Sequence, residues 1–293
     1  MSDKSKTRSR SGLKKLFSEL SEDTDELIDN GIRAGFIGDY DEAIEYFDRV
    51  INRTIPIGKD TKETALFYKA AALQNLGKLE EAELTYDKLL KIAPKFSEAW
   101  NNKGTVLYDL ERYEDAIEAY NQASKLDKKS TLAITNKAEA LGDIGKTHEA
   151  LAIFEQVLKE DPENFQALLG KAKALSELSE SDIAIQLFDK ILEVDSENAE
   201  ALVGKGITLL DVEKYEKALE CFERTLSIDS CDELAWYNKA CALALLNRKD
   251  VALDALTVAV SLEPQNVQDL AGEKDFDNIR NTERFEKLLK QGS

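Results

Sequence analysis

The chain has 293 residues, of which 43% are hydrophobic, so it is long enough to bury a substantial core. Its 57 acidic residues outnumber 39 basic residues, and the net charge of −18 disfavours nucleic acid as a partner. No apolar run approaches the ~18 residues that span a bilayer, and the N-terminus lacks the apolar region of a secretory signal. We therefore expect a cytoplasmic protein without a membrane partner.

Residues 1–23 are predicted to form a basic, largely disordered tail that contains one short amphipathic helix. The polar, serine-rich residues 2–11 are either a solubilising tail or an arm that is phosphorylated or contacts a polyanion. An apolar stripe with helical spacing follows at Leu13, Leu16, Phe17 and Leu20. This helix would cover the first repeat, pair with another copy or touch a membrane, and the acidic residues after it make the membrane the weakest option.

An alanine recurs along most of the chain, with one spacing of 39 residues and then five spacings of 34. These alanines are Ala43, Ala82, Ala116, Ala150, Ala184, Ala218 and Ala252. A period of this length indicates one structural unit copied along the chain. With the alanine placed at position 20, the seven units are residues 24–57, 63–96, 97–130, 131–164, 165–198, 199–232 and 233–266. Residues 58–62 are then an insertion after the first unit.

Each unit is predicted to be a pair of antiparallel helices. Positions 4, 8 and 11 have the spacing of one helical face, and positions 20, 24, 27 and 28 form a second stripe. Position 8 is always glycine or alanine, and position 24 is aromatic in six units. Glycines separate the two stripes in three units, and prolines stand near the end of three units, where they cannot continue a helix.

This combination of positions resembles the tetratricopeptide repeat (TPR), in its prokaryotic variant. A small residue at 8, alanine at 20, an aromatic residue at 24 and a bulky residue at 4 recur in register over residues 24–266. The resemblance implies an all-α fold, a right-handed superhelical solenoid of antiparallel helix pairs. It also implies that a concave groove, lined by the first helix of each unit, binds a protein or peptide segment without catalysis and without a cofactor.

Residues 267–293 depart from this register and are predicted to form a C-terminal capping helical segment. Its apolar positions are Leu270, Phe276, Ile279, Phe285, Leu288 and Leu289. The sequence NTERFEKLL at residues 281–289 indicates a terminal helix, which would shield the apolar end of the array, as solenoids require.

Position 7 carries a lysine in six units, where the family usually has leucine. These residues are Lys69, Lys103, Lys137, Lys171, Lys205 and Lys239. Positions 3, 7, 10 and 14 form one ridge, which we predict faces the preceding unit; the first unit has Glu26, Asn30 and Arg33 there. Either the lysine stems pack while each ammonium reaches water or a carboxylate, or the lysines form a row of cations for an acidic partner.

Positions 2, 5, 6, 9, 12 and 13 point away from both apolar stripes and are predicted to line the groove. The candidate partner-binding residues are Asn101, Asn102, Thr105, Tyr108, Thr135, Asn136, Glu139, Lys173, Tyr237 and Asn238. By the resemblance, an asparagine at position 6 hydrogen-bonds the backbone of an extended peptide, because its amide both donates and accepts. Gly170 and Gly204 interrupt this asparagine row.

Position 13 is acidic in four consecutive units. These residues are Asp109, Asp143, Glu177 and Asp211. This acidic edge is either a solvated surface or a feature that selects a basic peptide.

No catalytic or metal site is predicted. His148 is the only histidine, and neither a nucleophile–base set nor a phosphate-binding glycine loop accompanies it. Cys221, Cys231 and Cys241 lack a metal-ligand spacing, and we interpret them as unpaired thiols that serve as small apolar residues.

We therefore predict a non-catalytic scaffold, monomeric or weakly self-associating, that binds a protein segment in its groove. One alternative is a structural assembly protein, a homo-oligomer in which the N-terminal helix or an array end packs on another copy. A second alternative is an accessory subunit of an enzyme complex.

Overall fold

The computed structural model describes residues 23–53, 56–264, 267, 270 and 272–290. In this part of the chain every regular element is helical, with fifteen α-helices and no strand. The first helices of the units are α1 (Thr24–Phe36), α3 (Lys59–Asn75), α5 (Ser97–Asp109), α7 (Thr131–Asp143), α9 (Phe165–Glu177), α11 (Ala199–Asp211) and α13 (Glu233–Leu245). The second helices are α2 (Tyr40–Ile51), α4 (Leu79–Ile92), α6 (Tyr113–Leu126), α8 (Thr147–Glu160), α10 (Ser181–Val194), α12 (Tyr215–Ile228) and α14 (Lys249–Leu262). A 3₁₀ helix (Lys274–Phe276) and α15 (Glu283–Leu289) follow.

The predicted all-α fold of antiparallel helix pairs is confirmed. The chain divides into two compact parts, residues 1–144 and residues 145–293, and within each part consecutive helices pack on one another. The predicted tail and its short amphipathic helix lie outside the described residues.

The alanine and aromatic columns form the core between the two helices of each unit. The seven alanines are at most 1% exposed, and the seven side chains at position 24 are at most 2% exposed. A Cβ atom added to Gly104 would lie 2.6 Å from the ring of Tyr120, and one added to Gly206 would lie 2.5 Å from the ring of Phe222. A small residue at position 8 is therefore required, because the aromatic ring of the same unit occupies the adjacent space.

The turn between the two helices of every unit places one residue, at position 15, in the left-handed region. Gly38, Gly77 and Gly145 occupy it in three units, with φ between 71° and 86°. In the other units the residues are Glu111, Ser179, Glu213 and Asn247, with φ between 58° and 64°. Two backbone hydrogen bonds close this turn in six units, as in the second unit, where the N–H groups of Gly77 and Lys78 both donate at 2.9 Å. These bonds impose the conformation even where the sequence offers no glycine.

The first helix of the second unit begins earlier than the repeat predicts. Helix α3 has 17 residues, whereas α1 has 13. Residues 59–62, predicted as part of an insertion, add about one turn to this helix. An ion pair between Lys59 and Glu63, one turn apart at 3.3 Å, supports the added turn.

The C-terminal segment packs on the last helix pair. Its buried residues belong to the same apolar cluster as α13 and α14: Val267, Leu270, Phe276, Ile279, Phe285 and Leu288. The ring of Phe276 meets Tyr237 edge-on, with 5.8 Å between the centroids. Thr282 caps α15 by accepting a hydrogen bond from the Phe285 N–H at 3.3 Å. Helix α15 lies within this segment, and the capping role of the segment remains a prediction.

Candidate functional site

The candidate site lies on the first helices of the units, at positions 2, 6, 9, 12 and 13; we call this surface the groove face. Position 5, which was predicted to share this surface, is instead buried in five units, each residue being at most 9% exposed. These residues are Ile28, Asn101, Thr135, Leu169 and Val203. Position 5 lies three residues before the core position 8 and therefore on the same side of the helix, so its side chain is buried. Asn238, at position 6, is also buried, at 8% exposed.

In the N-terminal part, the groove face of α5 and α7 is polar. The Asn101 Oδ1 atom accepts a hydrogen bond from Asn136 Nδ2 at 3.2 Å, and Asn101 Nδ2 donates to Asn102 Oδ1 at 3.3 Å. The Thr105 hydroxyl donates to the Asn101 carbonyl at 3.3 Å and accepts from Tyr120 at 3.4 Å. We call these residues, with Tyr108, the polar patch. Asn101 is buried and bonds to both neighbours, whereas Asn102 and Asn136 are half-buried and keep part of their amides exposed.

Acidic residues at position 13 accept hydrogen bonds from the preceding repeat units. The Tyr108 hydroxyl donates to Asp143, and burial together with this bond raises the pKa of Tyr108 above its ordinary value of 10.0. Gln74 Nε2 donates to Asp109 at 3.2 Å. Three of the four acids thus accept a hydrogen bond from the preceding unit, because Thr147 also donates to Glu177 at 3.0 Å. The pKa of the fourth, Asp211, is raised by desolvation and then by the charge of Asp275.

In the C-terminal part, the groove face of α9, α11 and α13 surrounds a cavity of about 540 Å³, which we call the apolar cavity. Its apolar lining consists of Phe188, Ala199, Val203, Gly204, Ile207 and Leu234. Its polar lining consists of Lys173, Ser176, Glu177, Glu200 and Asp232. The sequence-predicted residues Lys173 and Glu177 therefore lie together here, whereas Thr135 and Asn238 are buried elsewhere. Tyr237 is half-buried and lies against Phe276.

Glycine at position 6 explains why this region differs from the polar patch. A Cβ atom on Gly204 would lie 2.7 Å from the ring of Phe188, and one on Gly170 would lie 2.3 Å from the ring of Phe154. Each ring comes from position 24 of the preceding unit. The fifth unit has Ala172 at position 8, where the third and sixth units have glycine. In the sequence, glycine at position 6 follows alanine at position 8 of the preceding unit twice, as Gly170 after Ala138 and Gly204 after Ala172, and it was visible only as a break in the asparagine row.

Five of the six position-7 lysines pair with an acid at position 25 of the preceding unit. The N–O distances are 2.6 Å for Lys69–Asp48, 2.7 Å for Lys103–Asp87, 2.9 Å for Lys171–Glu155, 2.5 Å for Lys205–Asp189 and 3.3 Å for Lys239–Glu223. These pairs favour the structural interpretation and place the lysine ridge against the preceding unit. Among the described residues Lys137 forms no ion pair, because Asn121 stands where the other units have an acid.

The cysteines are unpaired, as predicted. Cys221 and Cys241 are buried, and burial is the main cause that raises the pKa of both thiols. Cys231 is exposed in the turn before α13, so its interpretation as a small core residue is wrong. The described residues contain no group of three or more histidine, cysteine or acidic side chains arranged to hold a metal ion. Over the same residues, no helix has both the length and the apolar character to cross a membrane.

The chain belongs to the tetratricopeptide repeat family. Family models of this repeat match residues 97–130, residues 143–202, and residues 28–95 together with 203–267. Between residues 28 and 267 they leave only residue 96 and residues 131–142 unmatched. Proteins with this fold act as protein–protein interaction scaffolds and are generally non-catalytic.

Solved structures share the fold at low sequence identity. A tetratricopeptide repeat protein from Parabacteroides merdae is 17% identical with a TM-score of 0.72, covering 92% of this chain and 98% of its own. A chain of the APC/C hetero-tetramer Cut9–Hcn1 is 15% identical with a TM-score of 0.68, covering 87% of this chain and 46% of its own. The thermophilic TPR protein TTC0263 of Thermus thermophilus is 18% identical with a TM-score of 0.55, covering 66% of this chain and 99% of its own. No curated protein sequence matches the chain.

Proposed function

We propose that the chain is a non-catalytic scaffold that holds a segment of another protein on the groove face of its repeats. The observation that supports this most directly is the cavity of about 540 Å³, which three consecutive first helices form and leave open. Its volume falls within the range of about 300–1,000 Å³ typical of ligand pockets. The polar patch supplies the partly exposed amide groups of Asn102 and Asn136, which suit the backbone of an extended segment.

Affinity capture from the native lysate, followed by mass spectrometry, tests this proposal. The proteins captured by a variant with a blocked groove face are compared with those captured by a matched control variant. Leu132 and Leu234 both stand at position 2 and are 48% and 49% exposed, so arginine at each fits without disturbing the core. Leu84 and Val194, on second helices, are 60% and 83% exposed and provide control sites. We expect the control variant with Leu84→Arg and Val194→Arg to capture the same partner as the wild type. The groove variant with Leu132→Arg and Leu234→Arg should no longer capture it.

The captured partner must then bind the purified chain directly, measured by calorimetry. Equal capture by the groove variant and by the control variant would contradict binding on the groove face. Failure of every captured protein to bind the purified chain would contradict the scaffold function itself.

A second candidate function, self-assembly, is favoured by the exposed apolar end of α1. Phe36 and Ile37 are 84% and 75% exposed, and Phe36 lines a cavity of about 150 Å³ together with Ile32, Tyr40 and Tyr68. Ile37 stands at position 14, and the residues at this position in later units, such as Leu76 and Leu110, are half-buried instead. Light scattering of the full chain and of the Phe36→Ser, Ile37→Ser variant tests this candidate; an unchanged mass would contradict it.

A further inference from the structure

The apolar cavity differs from the rest of the groove face in being an open depression with a mainly apolar lining. Val203, Ile207 and Leu234 form its walls, and Gly204 packs directly against the buried ring of Phe188, which occupies the space that a Cβ atom would need. In the polar patch, position 6 carries Asn102 and Asn136 instead of glycine. An open apolar depression of this size is stabilised when it takes up a bulky apolar side chain and releases water.

The rim of the cavity is acidic. It carries one cation, Lys173, and three carboxylates, those of Glu177, Glu200 and Asp232. Lys173 forms an ion pair with Glu200. Glu177 accepts from the Thr147 hydroxyl, and Asp232 accepts from the Ala235 N–H, and neither carboxylate forms an ion pair with a cation among the described residues. The net charge of the chain, −18, has the same sign as this rim.

We propose that the apolar cavity anchors one bulky apolar side chain, aromatic or leucine, that is flanked by arginine or lysine in the partner segment. This inference rests on the proposed scaffold function and names the chemistry of its partner. The apolar side chain fills the space between Val203, Ile207 and Leu234, and the flanking cations face Glu177 and Asp232. A segment with flanking carboxylates is repelled by the same rim.

The chain offers matched variants for a test. Leu234→Ser removes one cavity wall, and Leu132→Ser removes an equally exposed leucine at the same repeat position in the fourth unit, 49% against 48% exposed. Glu200→Lys reverses the charge at the rim, and Glu98→Lys makes the same change at position 2 of the third unit. The replaced leucines are half-exposed and both glutamates are exposed, so all four variants are expected to fold.

The probe is the tripeptide acetyl-Arg-Phe-Arg-amide, titrated into the isotope-labelled full chain and followed by amide chemical shifts in NMR spectra. We expect saturable shifts at Val203, Gly204 and Leu234. Acetyl-Arg-Ser-Arg-amide should bind about tenfold more weakly or worse, the difference expected from losing one buried side chain. Acetyl-Glu-Phe-Glu-amide should also bind about tenfold more weakly or worse, because the acidic rim repels its carboxylates. Leu234→Ser and Glu200→Lys should weaken the Arg-Phe-Arg probe similarly, while Leu132→Ser and Glu98→Lys leave it unchanged.

Two results would overturn the proposal. If the Arg-Ser-Arg and Arg-Phe-Arg probes bind equally, the proposed apolar anchor is wrong. If the Glu-Phe-Glu and Arg-Phe-Arg probes bind equally, the proposed charge selection is wrong. The affinity of the natural partner for these variants distinguishes this inference from the scaffold function. If a captured partner binds the purified chain and keeps its affinity in the Leu234→Ser and Glu200→Lys variants, the anchor is wrong while the scaffold function stands.

Discussion

The polar patch and the apolar cavity are built from the same positions of the same repeat, yet they present opposite chemistry. In the polar patch, position 5 is Asn101 and position 6 is Asn102, and their amides bond to one another. In the apolar cavity the same positions are Val203 and Gly204. The difference arises from core positions 8 and 24. In some units the ring at position 24 lies against position 8 of its own unit, and in others it lies against position 6 of the next unit. Core packing therefore sets the chemistry of the outer surface.

The largest expected effect is the replacement of a position-6 glycine in the C-terminal part. Gly170→Ala places a Cβ atom 2.3 Å from the ring of Phe154, which should destabilise the fold by about 1–3 kcal/mol in chemical denaturation. Gly142→Ala is the control, because a Cβ atom at this helical glycine meets nothing within 4 Å. It should stabilise the fold by about 0.5–1 kcal/mol. Equal effects of the two changes would show that the ring does not lie against Gly170.

Position 24 should respond to alkali in the N-terminal part alone, because Tyr86 and Tyr120 occupy it there, whereas the C-terminal units have phenylalanine or leucine. Burial raises the pKa of both phenols from 10.0 to about 12. Since the unfolded chain releases these protons first, their contribution to stability is complete below pH 10 and is lost as the pH rises through about 12.

The variant with Tyr86→Phe and Tyr120→Phe should therefore lose less stability than the wild type between pH 8 and pH 11. The expected difference is on the order of 2 kcal/mol for the pair, measured by denaturation at each pH. Parallel stability curves for the two proteins would contradict the raised pKa values.

A smaller effect is expected from breaking the amide network of the polar patch. Asn101→Ala removes the acceptor of Asn136 and the donor to Asn102, and it should cost about 0.5–1.5 kcal/mol. A double-mutant cycle with Asn136→Ala isolates the bond between the two residues. Strict additivity of the two single changes would show that this bond contributes nothing.

The smallest effect concerns the position-7 lysines. Lys171→Met breaks the ion pair with Glu155 and should cost up to about 1 kcal/mol at low salt, falling as salt screens the pair. Lys137→Met should cost nothing, because Asn121 provides no carboxylate for this lysine. Denaturation of both variants at low and high salt checks the difference, and an identical salt response would contradict it.

The sequence by itself determined the repeating core. The alanines at position 20 and the aromatic residues at position 24 are buried as their spacing predicts, and the paired helices follow. This succeeds because each unit solves its packing locally, so periodic positions within one unit carry the information. The terminal helix α15 was also predictable, because Thr282 and the apolar residues after it lie within a few residues of each other.

Tertiary structure decided the features that depend on two units at once. The hydrogen bond between Asn101 and Asn136, the orientation of Phe188 towards Gly204 and the absence of a carboxylate opposite Lys137 each involve a residue about 15 to 35 positions away. The left-handed conformation of Glu213 is fixed by the bonds that close its turn. Helical periodicity reports which face of one helix is apolar, but a cavity exists only where neighbouring helices leave a space unfilled. For that reason the columns of the repeat located the groove face, and only the packing of adjacent units divided it into a polar patch and an apolar cavity.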